Sequence, residues 1–200
     1  PTGAVIAEQD LSKLVEIVDG KAIIISDEIY QSFVYEGRSP SILEFTSDAI
    51  VINGFSKRFS MTGWRLGFSY CDPVVAKELG AVQSHVSSNA STPSQVGALA
   101  AFTDLERTNK AVKEMVVAFC RRRDLVTRLF DALLPEFAYV KPMGAFYLFF
   151  RVDSAFTDEI HSSAKFCSWM LEETGVALVP GSAFGDDRWV RMSYAAADAV

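Results

Sequence analysis

Two short apolar runs, each followed at once by polar residues, most constrain what this chain can fold into. Residues 22–25 (Ala-Ile-Ile-Ile) lead into Ser26 and Asp27, and residues 49–52 (Ala-Ile-Val-Ile) lead into a polar stretch that contains Lys57. Continuous apolar runs of this length are typical of strands buried in a parallel sheet. Open α/β sheets bind their ligands at the carboxyl ends of such strands. The sequence therefore predicts an α/β fold with a candidate site near Asp27 and Lys57.

The remaining pattern predicts two domains. Apolar residues at helical spacing predict helices, and shorter alternating or apolar runs predict further strands. The chain then divides into residues 1–110, which hold most of the sheet, and residues 111–200, a smaller α/β domain entered through a long linking helix at about 110–134. The predicted helices span 8–19, a stretch from about 92, 110–134 and 162–174, and the further predicted strands span 64–70, 144–151, 176–179 and 189–194.

Composition excludes several classes of function. The net charge is −6 and the pI is about 5.0, which argues against a nucleic-acid surface. The dense basic run 121–123 lies in a helical pattern and is interpreted as a solvated helix face. No apolar stretch reaches membrane-spanning length, so no membrane contact is expected. The two histidines show no metal-ligand spacing, so no metal site is expected either.

The three cysteines are far apart and form no C-x-x-C pair. This arrangement favours a reducing compartment, and we expect a cytoplasmic protein. The chain opens on Pro1-Thr2-Gly3 without a methionine and stops in mid-pattern at residues 195–200. We therefore interpret it as a segment of a longer chain, truncated at both ends.

Lys57 belongs to a set of residues that match one kind of chemistry. A lysine amine condenses with an aldehyde cofactor when it is partly desolvated, although most lysines are simply solvated. Asp27 is suited to keeping a pyridine nitrogen protonated, and its alternative role is that of a helix cap or loop acid. Tyr30 is suited to donating its hydroxyl to a ring oxygen, and its alternative is a place in the core.

Three further residues carry groups that bind anions. Ser56 and Arg65 together offer a hydroxyl and a planar fork of charged donors, which suits a phosphate. Arg65 is the one charged residue of the predicted strand 64–70, where a charge needs a partner. Arg191 is likewise a charge in an apolar strand; it is suited to a bidentate grip on a substrate carboxylate, with a structural ion pair as the alternative.

These residues lie in motifs that resemble the class I and II aminotransferases, which share pyridoxal-phosphate (PLP) fold type I. The motifs follow the family's order and cover nearly the whole chain, so a chance match is very improbable. The sequence around Lys57 is most similar to that of bacterial-type aspartate aminotransferases. The matching stretches are residues 1–3, Ser26-Asp27-Glu28-Ile29-Tyr30, Ser56-Lys57-Arg58-Phe59-Ser60-Met61-Thr62-Gly63-Trp64-Arg65-Leu66-Gly67, residues 144–147, and residues 180–182 through 191–193.

The resemblance implies a role for each matching residue. Lys57 forms the Schiff base with PLP and then carries the proton, while Asp27 pairs with the pyridine nitrogen and Tyr30 bonds the phenolic oxygen. Ser56 and Arg65 bind the phosphate, and Arg191 binds the substrate α-carboxylate. The pair Ser88-Asn89 resembles a loop that reaches the partner subunit's site in the family's homodimers. The fold implied is the carboxyl-terminal part of the large PLP-binding domain followed by a small α/β domain.

The chain also departs from the family. The asparagine that precedes Pro-Thr-Gly, the glycine-rich phosphate turn and the aromatic residue that stacks on the cofactor would all lie upstream of Pro1. Gly54 stands where some members have a phosphate-binding serine. Ser84 stands in the region where many dicarboxylate-specific members have an arginine, so this segment does not reveal a preference for aspartate or glutamate.

We expect transamination from an L-amino acid to a 2-oxo acid, with aspartate and aromatic amino acids as the candidate donors. One alternative is another PLP reaction on the same fold, either a carbon–sulfur β-lyase or a cyclopropane-forming synthase, because the same lysine and aspartate would serve. The other alternative is a non-catalytic fragment that lacks half of its site.

Overall fold

The computed structural model describes residues 1–197, and the chain divides into two compact units. The lysine unit, Ile6–Met115, contains Lys57. The arginine unit contains Arg191 and is made of Pro1–Val5 together with the chain from Val116 onward. Helix α4 (Leu105–Leu133) begins in the first unit and ends in the second. Within the described residues, no helix combines the length and apolar character needed to cross a membrane.

The lysine unit is a three-stranded sheet with helices. Its sheet has the order β1-β2-β3, in which β1 and β2 are parallel and β3 runs antiparallel to β2. The strands are β1 (Ile24–Asp27), β2 (Ala49–Gly54) and β3 (Gly67–Tyr70), and the helices are α1 (Glu8–Val18), α2 (Pro73–Ser87) and α3 (Thr92–Thr103).

Two buried clusters hold the lysine unit together. Leu11 of α1 and Ile42 pack with Ala49 and Val51, which lie on one face of β2. In the second cluster, Phe55, Met61 and Ala98 of α3 pack around the segment that contains Lys57. Burial of such side chains is the main force that fixes an element, so this segment is held from both of its ends.

The arginine unit is an antiparallel sheet with helices on one face. The sheet order is β4-β5-β7-β6, and all three neighbouring pairs are antiparallel. Leu148 and Val190 are fully buried on the face that packs with Phe130 of α4 and Phe166 of the following helix. The elements are β4 (Tyr139–Val140), β5 (Tyr147–Arg151), α5 (Ser163–Thr174), β6 (Val179–Pro180) and β7 (Trp189–Ser193).

The first residues of the chain pack within the arginine unit. The Gly3 carbonyl accepts hydrogen bonds from the backbone N–H groups of Met143 and Gly144, both at 2.9 Å. Gly3 has φ 71°, and a Cβ there would lie 2.7 Å from the Gly144 oxygen. Only glycine fits this close approach. Residues 1–5, which the sequence pattern groups with residues 1–110, therefore contact the unit that begins at Val116.

Several predicted elements agree with the structure and others are shifted. Helices 8–19 and 162–174 correspond to α1 and α5, whereas β1 lies two residues later than its apolar run. Helix α2 was not predicted, although Asp72 caps it through Val74 N and Pro73 occupies its first turn. The interpretation of residues 121–123 as a solvated face is wrong for Arg123, which is only 4% exposed and donates to the Pro142 carbonyl at 2.9 Å.

Candidate active site

The sheet of the lysine unit brings the predicted site residues to one edge. Asp27 ends β1 and is paired with Ile52 of the parallel strand β2. Strand β2 ends at Gly54, three residues before Lys57, and Gly54 pairs with Gly67 at the start of the antiparallel strand β3. Arg65 lies two residues before Gly67. The carboxyl ends of two strands and the beginning of the third therefore gather Asp27, Lys57 and Arg65, the arrangement that open α/β sheets use for ligands.

The segment that carries Lys57 is a compact turn anchored in the core. Phe55 N donates to the Leu66 carbonyl at 3.1 Å, and Met61 N donates to the Phe55 carbonyl at 3.2 Å. Ser60 N closes the turn on the Lys57 carbonyl at 3.1 Å. The rings of Phe55 and Phe59 also contact each other, with centroids 5.1 Å apart. These bonds fix the backbone of Lys57 while its side chain remains half-buried.

Lys57 and Tyr30 are neighbours in space. The Lys57 Nζ lies 5.5 Å from the centre of the Tyr30 ring, within the range of a cation–π contact. Tyr30 is held in the turn after β1 by the Phe33 N–H, which donates to the Tyr30 carbonyl at 2.9 Å. The structure thus brings together two residues that lie 27 positions apart in the sequence.

Arg58 joins the Lys57 turn to the rest of its unit. One guanidinium nitrogen donates to Ser32 Oγ at 2.9 Å, and another donates to Asn109 Oδ1 of α4 at 2.7 Å. Ser32 lies two residues after Tyr30. A charged, two-armed donor thereby ties the lysine turn to the turn that carries Tyr30. This role of Arg58 does not follow from the sequence, because nothing in the sequence shows which partners the side chain contacts.

Asp27 and its neighbour Glu28 have different tasks. The Asp27 carboxylate is exposed and accepts a hydrogen bond from Ile29 N at 3.1 Å. Glu28 Oε1 accepts from Ser26 Oγ, Ser41 Oγ and Ile42 N at 2.9–3.1 Å. Glu28 therefore pins the end of β1 to the loop at Ser41, which leaves Asp27 facing outward. This role of Glu28 was not predicted; its position inside the matching motif was the one signal for it in the sequence.

Ser56 and Arg65 line the same cavity at the end of β2. The cavity has a volume of about 240 Å³ and is also lined by Asn53, Gly54 and Gly67. Thr62 Oγ1 donates to the Ser56 carbonyl at 2.8 Å, which fixes the Ser56 backbone. Ser56 carries a hydroxyl and Arg65 a guanidinium, which together form a donor set suited to a phosphate dianion.

The prediction that Arg65 lies inside a strand is wrong. Residues Thr62–Trp64 form a 3₁₀ turn, Arg65 has φ 53° in the left-handed region, and β3 begins only at Gly67. The Arg65 side chain is exposed, and its Nη1 donates to the Thr62 carbonyl at 3.0 Å. A buried charge that needs an internal partner is therefore not present here. The alternating apolar residues from 64 to 70 fit a strand pattern. The 3₁₀ turn and the left-handed Arg65 nevertheless delay the start of the strand until Gly67.

Helix α3 supports the turn that precedes β3. The buried Ser94 Oγ donates to the Trp64 carbonyl at 2.8 Å. A Cβ at Gly97 would lie 3.0 Å from the Trp64 ring, so a glycine here allows the ring to lie close to the helix. These contacts fix the Trp64 backbone, which directly precedes Arg65.

Arg191 lies on β7 in the arginine unit. It pairs with Phe149 of β5 on one side and with Val179 of β6 on the other. Its guanidinium carbon lies 4.2 Å from the centre of the Tyr147 ring and 4.7 Å from that of Phe184. The side chain is half-buried. No ion pair of Arg191 is found among the described residues, so the alternative of a structural ion pair gains no support.

Ser88 and Asn89 follow the carboxyl end of α2 and are exposed. Ser88 has φ 63°, and the Asn89 side-chain amide donates to the Ala90 carbonyl at 2.8 Å.

In residues 1–197 we find no cluster of histidine, cysteine and acidic side chains that would hold a metal ion. The chemistry available at the site is therefore that of an amine, a carboxylate, a phenol and anion-binding donors.

Comparison with known proteins relates the whole chain to one family. The family model described as aminotransferase class I and II matches residues 1–199. A probable aspartate/prephenate aminotransferase from Aquifex aeolicus is 40% identical over 98% of this chain and 50% of its own length. Aromatic-amino-acid aminotransferase 2 from Thermococcus litoralis is 42% identical over 98% of this chain and 51% of its own length.

A solved structure of an aminotransferase shows that the similarity extends to the fold. The crystal structure of an aromatic aminotransferase from Pyrococcus horikoshii is 40% identical and superposes with a TM-score of 0.88, covering 98% of this chain and 53% of that one. The predicted α/β fold of this family is thereby confirmed. The chain spans about half the length of the curated relatives it matches.

Proposed function

The chain belongs to the class I and II aminotransferase family, and from this premise we propose that it serves a PLP-dependent transamination between an L-amino acid and a 2-oxo acid. The observation that carries the proposal is the gathering of Lys57, Asp27, Ser56 and Arg65 at one edge of one sheet. An amine, a carboxylate and two anion-binding donors are the groups that this cofactor needs, so the residues present fit PLP.

Each residue has a separate task in the proposal. When bound, PLP supplies an electron sink that makes the Cα proton of an amino acid removable. Ser56 and Arg65 would hold the phosphate, Asp27 would pair with the ring nitrogen, and the Tyr30 hydroxyl would bond the ring oxygen. Lys57 would hold the cofactor through its amine, and the same amine would take the Cα proton as a general base.

Lys57 also returns the proton as a general acid, so one side chain serves both steps. Arg191 would bind the α-carboxylate and restrict the orientation of the amino acid, a contribution from positioning. The turn held by Phe55, Met61 and Arg58 keeps the backbone of Lys57 fixed while its flexible side chain moves. Aspartate and aromatic amino acids are the proposed donors, in keeping with the names of the relatives.

The need for a 2-oxo acid tests this reaction directly. We expect the protein with PLP to convert L-aspartate or L-phenylalanine continuously only when 2-oxoglutarate is present, and to form one glutamate for each donor consumed. A carbon–sulfur β-lyase would instead release pyruvate from cystathionine without any 2-oxo acid. Pyruvate release of this kind would overturn transamination in favour of the lyase, and turnover of neither substrate would favour a non-catalytic segment.

The assembly proposed is a homodimer. Helix α2 has no buried residue and exposes Val74, Leu79, Val82 and Val86. Exposed apolar residues along one helix are typical of surfaces that another polypeptide covers. The exposed pair Ser88-Asn89 follows this helix, and we propose that its loop extends to the partner subunit's site. Sedimentation of the protein that carries this chain is expected to give a dimer, and a monomer at micromolar concentration would contradict this part of the proposal.

A cytoplasmic location is also proposed. Cys71, Cys120 and Cys167 all lie in the described part of the chain and none of them forms a disulfide. Free thiols persist in reducing compartments, which supports this assignment. Fractionation of cells that express the tagged protein would test it, and recovery in a secreted fraction would contradict it.

A further inference from the structure

The guanidinium of Arg191 is held by aromatic rings on the face of the sheet opposite the helices. Along β5 and β7, Leu148 and Val190 point into the helix-covered core, while Tyr147, Phe149, Trp189 and Arg191 alternate with them. Alternate residues of a strand point to opposite faces. The rings of Phe149 and Trp189 are stacked, with centroids 5.2 Å apart and planes 11° apart. Arg191 therefore lies on an ordered aromatic layer.

Phe184 contacts this layer from a separate turn. It ends the 3₁₀ turn Gly181–Phe184, and its ring meets the Phe149 ring edge-on at 6.0 Å. The same ring lies 4.7 Å from the Arg191 guanidinium, and Tyr147 lies 4.2 Å from it. Two rings thus hold a long, flexible side chain that would otherwise lose much conformational entropy when it binds an anion.

A hydrogen-bond chain fixes the turn that carries Phe184. Asp187 Oδ1 accepts from both the Ser163 hydroxyl at 2.5 Å and the Ser163 N–H at 3.0 Å. Ser182 N in turn donates to Ser163 Oγ at 3.3 Å. Ser163 is completely buried at the first turn of α5. The turn is therefore tied to the buried start of α5.

We infer that Phe184 and Tyr147 are positioning residues that preorganise Arg191 for the substrate α-carboxylate. The inference rests on the proposed function and adds the reason why the Arg191 guanidinium is already held in place before a carboxylate binds. The rings restrict the guanidinium and shield part of it from water, which strengthens its charge-assisted hydrogen bonds with a carboxylate. Neither ring touches the reacting atoms in this account; both act through Arg191.

The test uses ligands that bind but lack the Cα proton. 2-Methyl-L-aspartate and 2-methyl-L-phenylalanine are titrated into the PLP-loaded protein, and binding is followed by absorbance. For the probe that binds, the Phe184→Leu variant is expected to show about a fivefold higher Kd, the upper size of a cation–π contact at an exposed position. Phe184→Tyr keeps a ring and is expected to stay within twofold of wild type. The α-carboxamide of the same probe is expected to bind both variants and wild type alike.

Three results would overturn the inference. One is an unchanged Kd of the carboxylate probe in Phe184→Leu, and another is an equal loss of carboxylate and carboxamide affinity. If Phe184→Leu misfolds, Tyr147→Leu is compared with Tyr147→Phe in the same titration, and equal affinities there count against the inference. If neither probe binds to wild type, the proposed function is overturned and the inference with it, so the two failures are distinguishable.

Discussion

The Lys57 ammonium nitrogen lies 5.5 Å from the centre of the Tyr30 ring, across two turns that leave neighbouring parallel strands. A cation at this distance is attracted to the face of the ring. The relation matters because Lys57 and Tyr30 carry separate tasks in the proposed reaction. It also gives the first prediction, since the ring and the hydroxyl of Tyr30 can be removed one at a time.

Tyr30→Phe removes the hydroxyl and keeps the ring beside Lys57. We expect PLP to bind several-fold more weakly, because one hydrogen bond to the cofactor is lost. Tyr30→Leu removes the ring as well and is expected to weaken binding further. Equilibrium dialysis against PLP measures both effects. Equal affinities in wild type and Tyr30→Phe would exclude a hydrogen bond from this hydroxyl to the cofactor.

Arg58→Ala removes both bonds that tie the lysine turn to Ser32 and Asn109. We expect the free energy of unfolding to fall by about 1–3 kcal/mol, since two charged hydrogen bonds are lost from a half-buried site. Urea denaturation measures this change. Arg107→Ala, which truncates an exposed arginine of the same helix that holds Asn109, is the matched control and is expected to change stability by less than about 0.5 kcal/mol. Equal losses in the two variants would show that Arg58 does not brace the turn.

Gly181→Ala tests the tight packing of the backbone at Gly181, the first residue of the turn that carries Phe184. A Cβ at Gly181 would overlap the carbonyl oxygens of Trp189 and Asp186. We expect a loss of about 3 kcal/mol or more, because backbone atoms must shift. Gly80→Ala is the control: Gly80 is exposed inside α2 with no atom near its added Cβ, so this variant is expected to gain about 0.5–1 kcal/mol. Thermal unfolding of both variants would separate these opposite signs, and a stable Gly181→Ala protein would contradict the packing described.

Cys167 gives a prediction for pH dependence. Burial in the core of the arginine unit raises the pKa of the Cys167 thiol from 9.0 to about 11. The folded state therefore holds this proton more tightly than the unfolded state. The resulting stabilisation is complete below pH 9 and is lost as the pH rises through about 11. We expect a fall on the order of 1 kcal/mol in the free energy of unfolding over this window.

Replacing Cys167 with alanine should flatten that fall, whereas Cys71→Ala, at a half-buried position, should leave it in place. Native alkylation at pH 8 gives a second readout. Cys71 is expected to react with iodoacetamide well before Cys167, because the thiolate is the reactive form. Equal alkylation rates would contradict the burial of Cys167.

The sequence predicted the family and the ends of the strands better than it predicted local backbone. Apolar runs and motif order located Asp27 at the end of β1 and Lys57 just beyond the end of β2. The expected burial holds for Ala49 and Val51 of β2, whereas Ile25 of β1 is 63% exposed in this structure. Arg65 was misplaced because the alternation around it fits a strand, whereas a 3₁₀ turn and a left-handed residue are set by contacts of Trp64 with α3. Such contacts depend on residues 30 positions away and leave no local pattern.

Tertiary partners account for the other differences. Arg123 belongs to a basic run that fits a solvated face, yet its guanidinium is buried on the Pro142 carbonyl. Arg58 and Glu28 brace the site through partners far along the chain. A side chain of this length reaches many partners, and only the fold selects one of them.

Covalent trapping at Lys57 tests the central claim most directly. The protein is incubated with PLP, reduced with borohydride, digested, and examined by peptide mass spectrometry. We expect the reduced cofactor on the peptide that contains Lys57, at close to one equivalent, and none on exposed lysines such as Lys77. In Lys57→Ala the adduct and the transamination should both be lost. Labelling spread over surface lysines, or a Lys57→Ala protein that transaminates at the wild-type rate, would contradict the account.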